Sequence, residues 1–257
     1  LLWRIWYIIN LSLKEGRNLW TKKKEFQKIV QDTDNLVFFG GAGVSTESNI
    51  PDFRSVDGLY AQKYKYPPET MLSHTFFVNH TKEFFDFYRD KLLVPWAKPN
   101  ITHFKLAELE EEGKLKAVIT QNIDGLHEMA GSKKVFNLHG SVYFNHCERC
   151  GEPYPMEFVK ESSGVPLCEK CGGVVKPDVV LYEECLDENV LQGAAEAISG
   201  ADVLIVGGTS LVVYPAAGLT NYFNGSKLIL INKQPTPYDG KADLVFHESI
   251  GEMFRLL

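Results

Sequence analysis

Residues 36–54 join a short apolar run to a glycine-rich turn, and this pairing constrains the fold more than any other part of the 257-residue chain. The run Leu36–Phe39 is short, aromatic and apolar, which predicts a buried strand. Gly40, Gly41 and Gly43 follow at once, where the backbone can take positive φ and approach a ligand closely. Small hydroxyl and amide side chains come next, as at helix N-termini that bind phosphate. The segment predicts a dinucleotide site, although such turns also occur as tight turns only.

This segment differs from the fingerprint of hydride-transfer enzymes. That fingerprint needs G-x-G-x-x-G and an acidic residue about 20 positions on, at the end of a second strand. Here the glycines read G-G-A-G, and the next acids, Asp52 and Asp57, lie in a loop punctuated by proline and glycine. We therefore expect the nucleotide to serve a reaction other than redox chemistry.

Strand-like and helix-like patterns alternate along the rest of the chain. Further apolar runs of strand length are Ala117–Ile119, Val135–Leu138, Val179–Tyr182, Val203–Val206, Lys227–Ile231 and Leu244–Phe246. Helical patterns run from Asn100 to Glu112, from Asp187 to Gly200 and from Pro215 to Phe223. This alternation predicts an α/β fold with a parallel sheet, wrapped by helices, that binds ligands at the carboxyl ends of its strands. Two insertions interrupt it, a helical one over 57–95 and a cysteine-bearing one over 145–176.

Composition and charge narrow the class of protein. A chain of 257 residues that is 44% hydrophobic can bury one large domain, or one domain and a small module. A net charge of −6 without a Lys/Arg-rich block argues against a nucleic-acid partner. Residues 1–13 are apolar but too short for a membrane span, and they lack a signal-peptide pattern. We expect a cytoplasmic protein. Residues 1–17 are expected to be a disordered or artefactual extension, and the alternative is a genuine amphipathic arm, which would have the same sequence pattern.

Four of the five cysteines follow the spacing C-x2-C-x17-C-x2-C. They are Cys147, Cys150, Cys168 and Cys171, and this spacing is typical of a zinc ribbon. Two disulfides are the competing interpretation, which a cytoplasmic location disfavours. Four thiolates fill a tetrahedral shell, so the predicted zinc is structural.

Polar residues stand where several predicted strands end. Thr120–Asp124 follows Ala117–Ile119, and His139-Gly140 follows the next strand. Taken alone, the first segment is also compatible with a turn that has a helix-capping aspartate, and the second with an ordinary loop histidine. Polar residues at two neighbouring strand ends together favour a catalytic cleft. Gly207–Ser210 and Asn232-Lys233 extend this polar rim far enough for an extended dinucleotide. His103 and His127 lie in helical patterns and are interpreted as packed or surface histidines.

In this order, the motifs resemble the sirtuins, the NAD-dependent protein lysine deacylases, and most of all their bacterial branch. The matching stretches are GAGVSTESNIPDFR (41–54), TQNID (120–124), LHG (138–140), the two C-x-x-C pairs, KPDVVLYEE (176–184), GTSLVVYPAA (208–217) and IN (231–232). The resemblance implies a catalytic domain over 18–257. It consists of a large Rossmann-like domain and a smaller helical and zinc-ribbon domain, with NAD and acyl-lysine meeting between them.

The resemblance also implies roles for single residues. The implied NAD contacts are Ala42, Thr46, Phe53, Arg54, Gln121, Ile123, Asp124, His139, Thr209, Ser210, Asn232 and Ile250. Asn122, Asp124 and His139 are the implied catalytic residues. Val179–Tyr182 is implied to be the edge along which a substrate peptide adds as a further strand.

The implied reaction removes acetyl or another short acyl group from protein lysines. The acyl oxygen attacks the anomeric carbon of the nicotinamide ribose, and His139, as general base, then activates a ribose hydroxyl that attacks the alkylimidate. The products are free lysine, nicotinamide and O-acetyl-ADP-ribose. NAD-dependent mono-ADP-ribosyl transfer is the alternative enzyme, and a non-catalytic NAD sensor or zinc-ribbon module is the alternative from another class.

Two departing positions and one helical stretch bear on how closely the resemblance holds. Asn49 stands where many members have glycine, and asparagine tolerates positive φ. Cys185 stands where bacterial relatives usually have glycine, so we expect strain there if its backbone is left-handed. In family members that remove acidic acyl groups, a tyrosine and an arginine bind the carboxylate of the acyl group. An ungapped comparison places Phe85 and Tyr88 at these two positions. Arg89, the next residue, is expected to face solvent. This predicts an uncharged acyl group.

Overall fold

The computed structural model describes residues 2–53, 55, 58–61 and 64–257 of the chain. The described strands are β1 (Leu36–Gly40), β2 (Leu115–Thr120), β3 (Val135–Asn137), β4 (Gly140–Cys147), β5 (Pro153–Pro155), β6 (Val175–Val179), β7 (Val203–Gly207), β8 (Lys227–Ile231) and β9 (Leu244–Phe246). The described α-helices are α1 (Leu2–Asp32), α2 (Pro68–Met71), α3 (His74–Asn79), α4 (Thr81–Lys91), α5 (Ile101–Glu111), α6 (Leu126–Ala130), α7 (Met156–Glu161), α8 (Glu188–Ser199) and α9 (Ile250–Phe254).

A parallel sheet in the order β3-β2-β1-β7-β8-β9 forms the centre of the described part of the chain. Every pairing in it is parallel, which confirms the predicted α/β fold. The chain builds outward from β1 to β3 on one side and from β7 to β9 on the other. The order therefore reverses between β1 and β7, and in open sheets of this kind a crevice forms at that point. Gly40 pairs with both Thr120 and Gly207, so the three strands end at one level.

A small antiparallel sheet, β5-β4-β6, lies beside the cysteine cluster: Cys147 ends β4, and the other three cysteines lie in the connections between its strands. It packs with α2, α3 and α4 around a second hydrophobic core that includes Phe84, Phe85 and Tyr88. The predicted strand Val179–Tyr182 is wrong in both extent and sheet, since β6 ends at Val179 and pairs antiparallel with β4. The apolar run continues past the strand because Leu181 is buried against the same core.

Helix caps follow the sequence closely, with one exception. Asn100 caps α5, its side chain accepting from Thr102 N at 3.0 Å, and Asp187 caps α8 by accepting from Val190 N at 2.9 Å. The predicted α-helix from Pro215 to Phe223 is instead a 3₁₀ helix, Ala216–Tyr222. Its hydrogen bonds are i to i+3, as in short connecting helices.

Two further cores pack on the faces of the parallel sheet. On one face of the parallel sheet, Phe26 and Val30 of α1 pack together with α5 and α9. Helix α8 packs on the opposite face of the same sheet. Helix α1 begins at Leu2, so its backbone runs through most of residues 1–17; the division of the chain at residue 17 stays a prediction. Within the described residues, no helix combines the length and apolarity needed to cross a membrane.

His103 and His127 are buried where α5 packs on α6, which confirms that they are packed histidines. Their ring centroids lie 4.7 Å apart. His103 Nδ1 accepts from Asn100 N at 3.1 Å, whereas both ring nitrogens of His127 lack a partner among the described residues. Burial lowers the pKa of His103 to about 4, and burial beside His103 lowers the pKa of His127 well below its ordinary value.

These lowered pKa values make the free energy of unfolding depend on pH. The unfolded chain takes up a proton at each histidine near its ordinary pKa of 6.5, while the folded protein does not until far lower pH. Stability is thus lost as pH falls below about 6.5, by roughly 1 kcal/mol per histidine between pH 7 and 5.5. Urea unfolding at both pH values should show a smaller loss for His127→Leu than for wild type. His80→Gln, at a partly exposed position, is the control, and an unchanged loss in His127→Leu would contradict the assignment.

Candidate active site

A cavity of about 790 Å³ opens at the carboxyl ends of the parallel strands, across the point where the strand order reverses. The sequence-predicted residues that line it are Ala42, Thr46, Phe53, Gln121, Asn122, Ile123, Asp124, His139, Thr209, Ser210, Asn232 and Ile250. Arg54 lies outside the described residues. Tertiary structure thus brings the predicted residues from six separate segments to one cavity, while their individual roles stay predictions.

The floor of the cavity is a close contact between two glycine turns. Gly43 N donates to Gly208 O at 2.8 Å, and Gly41 N donates to Gly207 O at 3.2 Å. A Cβ built on Gly43 would lie 2.7 Å from Gly208 Cα, so only glycine allows the two backbones to approach this closely. This contact leaves a floor of small residues, open to a ligand.

Asn122, Ser45 and Asp124 form one chain of hydrogen bonds. Asn122 Nδ2 donates to Ser45 Oγ at 2.9 Å, and Ser45 Oγ donates to Asp124 Oδ2 at 2.6 Å. Asp124 Oδ1 accepts from Leu126 N at 3.0 Å. Burial raises the pKa of Asp124, and the two hydrogen bonds counter that shift by favouring the carboxylate. The network fixes the amide of Asn122 and the carboxylate of Asp124 at the cavity wall.

His139 follows β3 and presents its ring to the same cavity. Its Nδ1 lies 2.9 Å from the carbonyl oxygen of Gln121. Because a carbonyl only accepts, Nδ1 carries the proton of the neutral ring and Nε2 keeps a lone pair. Burial lowers the pKa of His139, although the bond to Gln121 counters part of this shift. The imidazole is thus neutral near pH 7 and able to accept a proton at Nε2.

Phe53 belongs to a loop that contacts the opposite wall of the cavity. The ring of Phe53 packs edge-on against Tyr60, with 5.6 Å between centroids. The hydroxyls of Tyr60 and Tyr182 lie 2.7 Å apart, so this loop meets the segment that follows β6. In the preceding turn, Asn49 has φ 61°, which confirms the expectation that asparagine takes a left-handed conformation in place of glycine.

Cys185 is not among the left-handed residues of the described chain, so the condition for strain at Cys185 is not met. The left-handed residue of this segment is Glu183, with φ 77°. Such a conformation costs a non-glycine residue about 1–2 kcal/mol. Glu183 Oε2 accepts from Thr75 N at 2.8 Å, a charge-assisted bond that offsets part of this cost. Cys185 itself is exposed.

Phe85, Tyr88 and Arg89 do not occupy the positions inferred from the sequence. Phe85 and Tyr88 are fully buried in the second core and are not part of the described cavity wall. Arg89 does not face solvent: its Nε donates to Val159 O at 3.0 Å and its Nη2 to Ser162 Oγ at 3.1 Å. The guanidinium therefore ties α4 to the carboxyl end of α7, because the carbonyls there lack helical partners.

Three residues contribute to the site in ways that the sequence analysis missed. Ser45 joins Asn122 to Asp124. Asn100, interpreted only as a cap, also donates from Nδ2 to Val44 O at 2.8 Å and to Ser48 Oγ at 3.0 Å. Glu47 accepts from Gly251 N at 2.9 Å and so caps α9 beneath the cavity. Ser45 and Glu47 are visibly polar within the glycine-rich segment, and Asn100 is visible as a helix cap, but the partners of all three are distant in sequence.

The four cysteines of the small sheet converge as the spacing predicts. Their sulfur atoms all lie within 4.8 Å of one another. The sulfur atoms of Cys147 and Cys171 lie 3.4 Å apart, and those of Cys150 and Cys168 lie 3.6 Å apart. A disulfide needs about 2.05 Å, whereas sulfurs around a tetrahedral zinc lie about 3.8 Å apart for Zn–S bonds of about 2.3 Å. The cluster fits a structural zinc, because four thiolates leave no open coordination position.

Known proteins are similar to this chain over most of its length. Residues 41–215 match the Sir2 family. The NAD-dependent protein deacetylase of Clostridium acetobutylicum is 62% identical over 235 residues, which cover 90% of this chain and 96% of that protein. A solved Sir2 complex with a deacetylated p53 peptide and 3′-O-acetyl-ADP-ribose is 42% identical, with a TM-score of 0.83 over 91% of this chain and 96% of that one. A Sir2 complex with p53 peptide and NAD+ is also 42% identical, with a TM-score of 0.80 over 90% and 95%.

The cysteine cluster generates a prediction about metal content and stability. Purified protein should contain one zinc per chain, and Cys168→Ser should lose it and unfold the small sheet, since structural zinc contributes roughly 10–16 kcal/mol of apparent binding free energy. Elemental analysis and thermal unfolding measure both effects. Cys185→Ser, an exposed cysteine outside the cluster, should match wild type in both. Zinc-free wild-type protein of full stability would overturn the prediction.

Proposed function

This chain belongs to the Sir2 family, and on that premise we propose that it removes acetyl groups from protein lysines, with NAD as co-substrate and one water molecule consumed per turnover. The products are free lysine, nicotinamide and O-acetyl-ADP-ribose. One observation carries the proposal: Asn122, Asp124 and His139 converge on a cavity whose floor is the glycine contact. The similar protein from Clostridium acetobutylicum is named an NAD-dependent protein deacetylase, which supports the same conclusion.

The cavity fits an extended dinucleotide in size and chemistry. Small residues form its floor, and hydroxyls of Thr46, Thr209 and Ser210 line it. Gln121 Nε2 donates to Thr209 Oγ1 at 3.0 Å, which holds both side chains at the centre of the rim. In this proposal, Ala42 and Thr46 contact the pyrophosphate and ribose of NAD, and Asn232 and Ile250 contact its adenosine half. Bound NAD supplies an activated ribose carbon that accepts the acyl oxygen.

The chain's own residues then orient groups and move one proton. Asn122 and Asp124, held by Ser45, bind and orient the nicotinamide end together with Ile123. Nε2 of His139 accepts a proton from a ribose hydroxyl, because Nδ1–H is engaged by Gln121 O. Phe53 covers this end of the cavity and excludes water. Each group is in place before substrates bind, so little reorganisation is needed.

The remaining parts of the molecule serve the substrate side. The segment Val179–Tyr182 lines the cavity and offers an edge for an acetyl-lysine peptide. The zinc module supports this segment, because β6 leads directly into it. Zinc thiolates also persist best where thiols stay reduced, which supports a cytoplasmic place of action.

Mass spectrometry of an acetyl-lysine peptide tests the proposed reaction. With protein and NAD together, the peptide should lose its acetyl group, and nicotinamide and O-acetyl-ADP-ribose should form in equal amounts. Omitting NAD should leave the peptide unchanged. A gain of ADP-ribose on a protein acceptor without deacetylation would support mono-ADP-ribosyl transfer instead. No change in either substrate would contradict both reactions.

Substitution of His139 tests the assignment of the base. His139→Ala should keep its zinc and bind NAD within a few-fold of wild type, yet lose about 10²–10⁴-fold in kcat, since that is the usual contribution of a positioned general base. Wild-type kcat/KM should fall as pH falls through the folded pKa of His139, which burial places below the ordinary value. His80→Ala, outside the cavity lining, is the control. Near-normal turnover in His139→Ala would show that another group is the base.

A further inference from the structure

One carboxylate holds the cavity-lining segment that follows β6. Glu184 Oε2 accepts from Leu181 N at 2.9 Å and from Lys176 Nζ at 3.1 Å. Its other oxygen, Oε1, lies 2.9 Å from His74 Nδ1. These partners lie in the segment itself, in β6 and in α3, so a single side chain connects three parts of the small module.

Lys176 extends the same network back along the strand. Besides Glu184, its Nζ donates to Val179 O at 3.0 Å and to Pro177 O at 3.3 Å. Only 17% of the Lys176 side chain and 20% of the Glu184 side chain are exposed. Partial burial strengthens an ion pair relative to one in water, because the screening by solvent is reduced. The pair thereby fixes the turn through which β6 leaves the sheet.

Backbone contacts hold the segment on its α3 side. Tyr182 N donates to Leu72 O at 2.9 Å, and His74 N donates to Tyr182 O at 3.0 Å. Val180 N donates to His139 O at 3.0 Å, which connects the segment directly to the proposed base. The orientation of these residues is therefore transmitted to the place where the peptide and His139 meet.

We propose that Glu184, with Lys176, is a positioning residue that orders Val180–Tyr182 for an acetyl-lysine peptide. This inference rests on the proposed deacetylase function and adds a determinant of substrate binding to it. Glu184 acts on the peptide through the backbone of Leu181 and through Lys176. Loss of its charge deprives the Lys176 ammonium of its anionic partner and weakens the acceptor of the Leu181 N–H, so the segment is less ordered before the peptide binds. Binding then includes the cost of ordering it.

The experiment compares wild type with Glu184→Gln, a change of charge at nearly constant shape. KM for an acetyl-lysine peptide should rise about tenfold to a hundredfold, while kcat stays within about threefold, because the lost interaction acts on binding. KM for NAD should stay within about twofold. Anisotropy of a labelled acetyl-lysine peptide without NAD should show the same weakening, independently of turnover. Hydrogen exchange should show faster exchange of the Leu181 amide.

Matched variants separate positioning from general destabilisation. Glu188→Gln, an exposed carboxylate four residues further on, should behave as wild type. Lys176→Met should raise the peptide KM as Glu184→Gln does, whereas Lys176→Arg should keep most of the wild-type affinity for the peptide. If the two residues act as a unit, the double variant Lys176→Met/Glu184→Gln should have a peptide KM no higher than that of either single variant. Zinc content and thermal unfolding verify that each variant is folded.

The outcomes distinguish this inference from the function on which it rests. If wild type neither binds nor deacetylates the peptide, the proposed function fails and the inference falls with it. If wild type is active and Glu184→Gln has an unchanged peptide KM, only the inference is wrong. An unchanged KM despite faster exchange at Leu181 would show that the network stabilises the fold without positioning substrate.

Discussion

The contact between the turns after β1 and β7 is the constraint on which the rest of the site depends. Gly43 and Gly208 approach so closely that no side chain fits between them. The parallel register ends β2, β1 and β7 at one level, so Thr120, Gly40 and Gly207 stand side by side. Because this point is also where the strand order reverses, loops diverge on either side and leave the cavity open between them.

Burial at this edge of the sheet has electrostatic consequences that the local hydrogen bonds control. It favours the uncharged forms of both Asp124 and His139, and the pKa values shift in the opposite directions expected for an acid and a base. Ser45 and the Leu126 amide favour the carboxylate of Asp124. The carbonyl of Gln121 selects the tautomer of His139. Two groups of different chemistry are thus prepared by neighbours that contribute no reactive atom themselves.

The small module acts on the cavity through one segment. The cysteine cluster holds β4 and β6 together, and β6 delivers Val180–Tyr182 to the cavity wall. Glu183 takes a left-handed conformation there, and its bond to Thr75 keeps the strained residue on α3. The Tyr60–Tyr182 contact then connects this segment with the loop that carries Phe53. Two walls of the cavity therefore meet at a hydrogen bond between residues far apart in the chain.

The sequence by itself determined the features that depend on local pattern. Apolar runs placed the parallel strands, Asn100 and Asp187 placed two helix starts, and cysteine spacing predicted the metal cluster, because each signal arises within a few residues. The sequence also identified the strand-end residues that line the cavity. Its errors are the extent of the strand at Val179–Tyr182, the helix type at Pro215–Phe223 and the side-chain partner of Arg89.

Only the tertiary structure decided those points, since each depends on groups that are distant in sequence. Leu181 packs in the second core. A short apolar run has the same sequence pattern in a buried loop as in a strand, so the sequence alone could not separate the two. Arg89 pairs with the carbonyl of Val159, and Ser45 joins Asn122 to Asp124 across more than 70 residues of chain. Periodicity and spacing report what a residue type can do. Which partner it meets is decided by packing, because the free energy of burial and hydrogen bonding belongs to the assembled contact and not to either residue alone.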